Sequence, residues 1–221
     1  MKKLVILLIF VISLIGCGGS KQIPDWIDDS HHHLENYKKN YLSDKDRIAE
    51  LQFNKAVDEI KKSGNLEILG RAYLTKYAVH IAVLETFDER EYLTTEALEP
   101  ALQNRVFYNF LKGSFDKVDE SLLPGQYKGV LKVFRKGKFE DAAHEISKME
   151  DPLSKLIAAG LFIQKNTYDE GILKIAIDTA SQNGWKKALL AYLEKLLFFY
   201  ETKKETEKAA NITQRIQLIK N

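Results

Sequence analysis

The chain has 221 residues, 45% of them hydrophobic, with 33 lysines and arginines against 31 aspartates and glutamates and a single cysteine. So even a charge balance excludes the positive field that holds nucleic acid, and one cysteine excludes an internal disulfide. Met1-Lys2-Lys3 is a short basic start, and Leu4 to Ile15 is an unbroken run of twelve residues, apolar except for Ser13. A helix needs about 20 apolar residues to cross the hydrocarbon core, so the run is short for a permanent span. A charged start, a short apolar core and a small residue at its end predict a secretory signal peptide over residues 1–16. An uncleaved anchor helix with an unmodified cysteine is the alternative.

Leu14-Ile15-Gly16-Cys17 is an aliphatic residue, a variable one, a small one and then cysteine. This resembles the lipobox of bacterial lipoproteins. The resemblance implies a diacylglycerol on the Cys17 thiol, cleavage after Gly16, and acylation of the new amino terminus with palmitate-type chains. Two or more chains anchor stably where one holds marginally, since each buried methylene contributes about 0.8 kcal/mol. Cys17 is then committed to lipid and unavailable as a nucleophile or metal ligand; beyond this covalent lipid no cofactor is expected. Loss of Lys2 and Lys3 leaves 31 charges of each sign in the mature chain. Gly18 is not the aspartate that retains enterobacterial lipoproteins at the inner membrane. The implied address is the cell envelope, on the periplasmic face of the outer membrane where the host has two membranes.

Residues 17–29 read as a lipidated tether, with Gly18-Gly19-Ser20 and Pro24. Trp26-Ile27 within it either docks on the body or sits among lipid headgroups. Beyond it the periodicity is helical throughout, and residues 30–124 form a first helical part. Leu34, Tyr37 and Tyr41 share one face of a short helix. Ser43 with Asp46 predicts a capped start for a helix to Ser63, striped by Ala49, Phe53, Ala56 and Ile60 and closed by Gly64-Asn65. Leu66–Glu85 is a helix apolar on more than one side. In the less regular stretch 86–124, Pro100 predicts the first turn of a helix burying Leu102, Val106 and Phe110.

Residues 125–221 are more sharply punctuated. Helices are predicted over Tyr127–Lys136, Phe139–Met149, Leu153–Lys165 after Asp151-Pro152, and from a Thr167-x-x-Glu170 capping box to Asn183-Gly184. Trp185–Lys203 and Glu205–Asn221 complete the chain. Short loops force antiparallel neighbours, hence stacked hairpins. Trp185–Lys203 is apolar around much of its surface, whereas Ala209, Ile212, Ile216 and Ile219 form one stripe that caps the stack.

Gly137-Lys138-Phe139-Glu140-Asp141-Ala142 resembles the turn and second-helix start of a tetratricopeptide (TPR) repeat. Ala159, Phe162, Asn166, Tyr168 and Gly171 resemble a degenerate second copy, with asparagine at the turn glycine. The resemblance implies an all-α, TPR-like α-solenoid with Phe139 and Tyr168 buried between hairpins. It also implies a concave side lined by the first helix of each hairpin, where Lys132, Arg135, Gln164 and Lys187 present themselves to a protein partner.

His31, His32 and His33 are the metal candidates. Consecutive helical residues point about 100° apart, so they cannot converge on one ion in a regular helix. His144-Glu145 begins like a zinc-protease motif, but Lys148 stands where the second histidine belongs. Pairs such as Glu96/Glu99 and Asp169/Glu170 fit first-turn acids favoured by the helix dipole. Without a nucleophile elbow, phosphate loop or dinucleotide fingerprint, the expectation is no enzyme but a membrane-anchored adaptor or assembly factor for another envelope protein. A ligand- or metal-binding lipoprotein and a helical hydrolase are the alternatives. Oligomeric state is left open.

Overall fold

A computed structural model describes residues 24–221. The predicted signal peptide, the lipobox and the first half of the tether lie outside them. The described residues hold eleven α-helices, three short 3-10 turns and no strand. The chain is all-α.

Helices α1 (Asp25–Leu42) and α2 (Asp46–Ser63) pair through the turn at residues 43–45. α1 begins inside the stretch expected as tether, and Trp26 is half-buried against the core, so Trp26 docks on the body. The box expected at Ser43 and Asp46 does not form. Ser43 follows the last residue of α1, Asp44 takes a left-handed φ of 66°, and α2 starts without a side-chain cap. The α2 stripe is buried as its spacing requires, and Gly64 closes the helix at φ 66°. Asn65 then caps α3 (Leu66–Ala82), its Oδ1 accepting from the Ile68 N–H at 2.9 Å.

α3 is the centre of the molecule. Ten of its 17 residues are buried, and it packs on α1, α2, α4 (Arg90–Leu98), α5 (Leu102–Leu111) and α8 (Pro152–Gln164). Its approach to α8 is close enough to demand glycine. A Cβ built on Gly160 would lie 2.4 Å from the Ile81 carbonyl oxygen. Pro100 sits just before the helix instead of inside its first turn, and Leu102 is 62% exposed, against expectation. Val106, Phe110 and Leu111 carry the apolar burial on α5.

The remaining helices follow as α6 (Lys128–Lys136), α7 (Ala142–Ser147), α8, α9 (Glu170–Gln182), α10 (Lys186–Thr202) and α11 (Thr206–Lys220). The helix expected over Phe139–Met149 is a 3-10 turn followed by six α-helical residues. Asp151 and Pro152 start α8 as expected, the Asp151 carboxylate accepting from the Ser154 N–H at 2.7 Å. At α9 the cap is Asp169, accepting from Ile172 at 2.9 Å; Thr167 instead donates back to Phe162 O. Neighbours in sequence pair from α8 to α11, and α11 buries Ala209, Ile212 and Ile216.

Contacts do not stop at sequence neighbours. α3 packs on α8, α1 reaches α10, and one apolar cluster runs from Tyr37 to Ile216. Phe134 of α6 is stacked between Phe115 and Phe162, with ring centroids 4.0 and 4.3 Å away. Residues 30–124 and 125–221 therefore share one core. Phe139, expected between hairpins, is 36% exposed, because the Phe134 ring already fills the space against Phe162.

Candidate functional site

A polar cluster joins α1, α2 and α3 to α10. The turns after α1 and α3 bring Tyr41, Asp46, His80 and Glu85 beside Lys187 near the start of α10. The Tyr41 hydroxyl donates to the Glu85 carboxylate, and His80 Nδ1 lies 3.2 Å from Glu85 Oε2. Lys187 Nζ donates to both Asp46 carboxylate oxygens at 3.0 and 3.1 Å and lies 3.1 Å from Glu85 Oε1. The same ammonium sits 3.8 Å above the Tyr41 ring. Leu84 adopts φ 61°, and the following Glu85 N–H donates to His80 O at 2.9 Å, which turns Glu85 back toward α3.

Burial, helped by Lys76 and Lys187, lowers the His80 pKa, while the Glu85 carboxylate opposes it. Burial and the bond to Glu85 push the Tyr41 phenol well above its ordinary range. A neutral imidazole donating from Nδ1 to Glu85 fits these surroundings, and its buried Nε2 has no hydrogen-bond partner. Tyr41, His80 and Glu85 are residue types that exchange protons, but here each is occupied with another member of the cluster. The arrangement binds α1, α2, α3 and α10 together.

Lys187, expected on an exposed binding face, is thus a structural tie with a side chain 15% exposed. Arg135 also has an internal task. Its guanidinium donates to the carbonyls of Phe115 (3.0 Å) and Val118, and faces Glu120 at 3.8 Å. Lys132 is exposed and faces the same Glu120 at 3.5 Å; Gln164 is the exposed last residue of α8. Lys132 and Arg135 are brought together, whereas no described hydrogen bond or ion pair links them to Gln164 or Lys187.

The histidine tract lies on α1 and fans out as helical geometry dictates. His31 faces Glu35 at 3.7 Å, His32 meets Asn36 at 2.9 Å, and His33 meets Gln52 at 2.7 Å. Among the described residues no group of three histidine, cysteine or acidic side chains is placed to hold a metal ion. Nor is any described helix long and apolar enough to cross a membrane. Gly16 and Cys17 lie outside the described residues.

Open grooves mark the surface. Grooves of about 470 and 510 Å³ lie beside α6 and α7 and share Gly129 and Glu145. A third, of about 410 Å³, runs between α1, the start of α8 and Trp185. Sequence reasoning missed Tyr41, His80 and Glu85 as a group, and Lys136, Lys138 and Glu145 as groove walls. Only the run of basic residues in α6 signalled any of these. No family model, curated protein or solved structure matches this chain.

Proposed function

We propose that this chain is a lipid-anchored envelope protein that binds another protein on the surface of its helical body, as an adaptor or assembly factor. It is not an enzyme on this reading. The observation that carries the proposal is the combination of lipobox residues Leu14-Ile15-Gly16-Cys17 with an all-helical body whose grooves are open and charged. Small-molecule sites are typically concave, largely apolar and enclosing, whereas open charged grooves suit a chain lying across them. The potentially reactive side chains at the α1–α3–α10 junction are tied to one another, which favours a structural role for them.

A TPR-like stacking of α6 to α11 belongs to the same proposal. Gly137 and Asn166 support it: both stand at the expected turns, with φ of 66° and 53°. The exposed Phe139 and the α1–α10 contact depart from a simple open solenoid, in which each repeat meets only its neighbours. The proposed address is the envelope, and the outer membrane where there are two.

Mild crosslinking in native membranes, followed by purification of the full-length protein, tests the function. A defined envelope protein should copurify with the wild type and be lost with Cys17→Ser. A wild type that captures no partner, or a soluble turnover activity assigned to the body, would refute it.

A further inference from the structure

We propose that the trough between α6 and α7 holds an extended acidic segment of the partner protein. This rests on the adaptor reading and adds the chemistry of what is held. α6 carries Lys128, Lys132, Arg135 and Lys136 and no acidic residue, in a chain whose charges otherwise nearly cancel. Lys132 and Lys136 lie one turn apart on one wall of the 470 Å³ groove. Gly137, at φ 66°, turns the chain so that Lys138 lines the same groove. Like charges one turn apart weaken a helix, and clustering them raises the local positive potential.

The groove's own acids do not cancel this field. Glu145 is drawn across α6, where a Cβ on Gly129 would lie 2.1 Å from its Oε2, and it pairs with Lys148 at 2.8 Å. Lys132 shares the half-exposed Glu120 with Arg135. Asp141 lines the same groove without an ion pair to Lys136 or Lys138, so three lysines face two acids there.

Spacing selects the ligand. Residues four apart on a helix rise about 6 Å, and alternate side chains of an extended peptide are about 6.6 Å apart. Two carboxylates at i and i+2 of an extended segment therefore match Lys132 and Lys136. A single phosphate would span one of these positions. The Glu145 carboxylate fills the space over Gly129 where the two grooves meet, and with Glu150 and Asp151 in the second groove it ends the preference for acids, so the acidic segment is confined to the lysine-lined trough.

The test is fluorescence anisotropy of a fluorescein-labelled octaglutamate peptide with the full-length protein in a neutral detergent. Saturable binding is expected, and octalysine should not bind. Reversal of Lys132, Lys136 and Lys138 to glutamate should weaken binding at least about fivefold, and salt should weaken it too. Reversal of the exposed Lys55, Lys61 and Lys204 makes the same charge change elsewhere and should alter it less than about twofold. Unchanged circular dichroism and Tm would establish that both triple variants fold. No saturable binding, equal loss in both variants, or inorganic phosphate displacing the peptide as well as octaglutamate does would overturn the proposal. Crosslinked partners that survive the trough reversal would also overturn it while leaving the adaptor reading standing. A wild type without partners would defeat the adaptor reading itself.

Discussion

Gly160→Ala places one methyl group between the two most buried helices. Its Cβ would stand 2.4 Å from Ile81 O, 2.8 Å from Ile81 Cγ2 and 3.1 Å from Ile81 C. The oxygen belongs to backbone, so no rotamer change relieves the contact. Bringing a carbon to ordinary contact, roughly 3.3 Å or more, requires α3 and α8 to part by nearly an ångström. Alanine recovers up to about 1 kcal/mol of helix propensity over glycine. Overpacking costs about 1–3 kcal/mol, and the upper end applies because α3 also supports α4 and α5. The net loss should be about 2 kcal/mol, or roughly 4–8 °C in Tm for a chain of this size. Urea and thermal unfolding of the detergent-solubilised protein, followed by far-UV circular dichroism, would measure it. Gly125→Ala is the control, because nothing lies within 4 Å of its Cβ and its φ is not positive. A Gly160→Ala protein as stable as the wild type would refute the close α3–α8 approach, and with it the shared core.

Phe139→Ala should cost less than about 1 kcal/mol, since the ring is 36% exposed, whereas the fully buried Phe162→Ala should cost about 3–5 kcal/mol; equal losses in urea titrations would contradict the packing of Phe134, in place of Phe139, on Phe162. Lys187→Met should destabilise by about 1–2 kcal/mol, by leaving Asp46 and Glu85 without their shared cation while keeping an aliphatic chain on Tyr41; a neutral outcome would remove the junction's importance. His80 has a lowered pKa, so below its ordinary value of 6.5 the unfolded chain takes the proton first. Stability should therefore be present in full above that value and fall as pH drops through the window beneath it, and His80→Gln should flatten the slope; an unchanged slope would assign it to other groups.

Much of the helical framework was legible because its signals are local. Asp151-Pro152, Gly64-Asn65 and Gly184 do at each boundary what their chemistry requires. Where neighbouring residues compete for one role, local sequence does not decide between them: Asp169 and not Thr167 caps α9, and Asp44 takes the turn that keeps Ser43 from capping α2. Leu84 and Lys204 adopt φ of 61° and 59° with no residue-type signal for it. Leu102 fits an apolar stripe by spacing, yet that side of α5 has nothing to cover it.

The polar junction was illegible for a different reason. Tyr41, His80 and Lys187 are far apart in the chain and meet only through tertiary packing. Lysine in an amphipathic helix reads as solvated surface unless a carboxylate arrives from elsewhere, as Asp46 and Glu85 do for Lys187. The basic character of α6 was visible as composition, but its convergence with Lys138 on one groove depended on the turn at Gly137 and the approach of Glu145 to Gly129.

The proposed function requires a lipid at Cys17 that fixes the helical body to a membrane. Intact-mass spectrometry of the protein purified from membranes of its natural host tests that directly. The predicted species lacks residues 1–16 and carries the mass of a diacylglycerol, with or without a further acyl chain, on a fragment beginning at Cys17. A wild-type protein that retains residues 1–16 on an unmodified chain would contradict it.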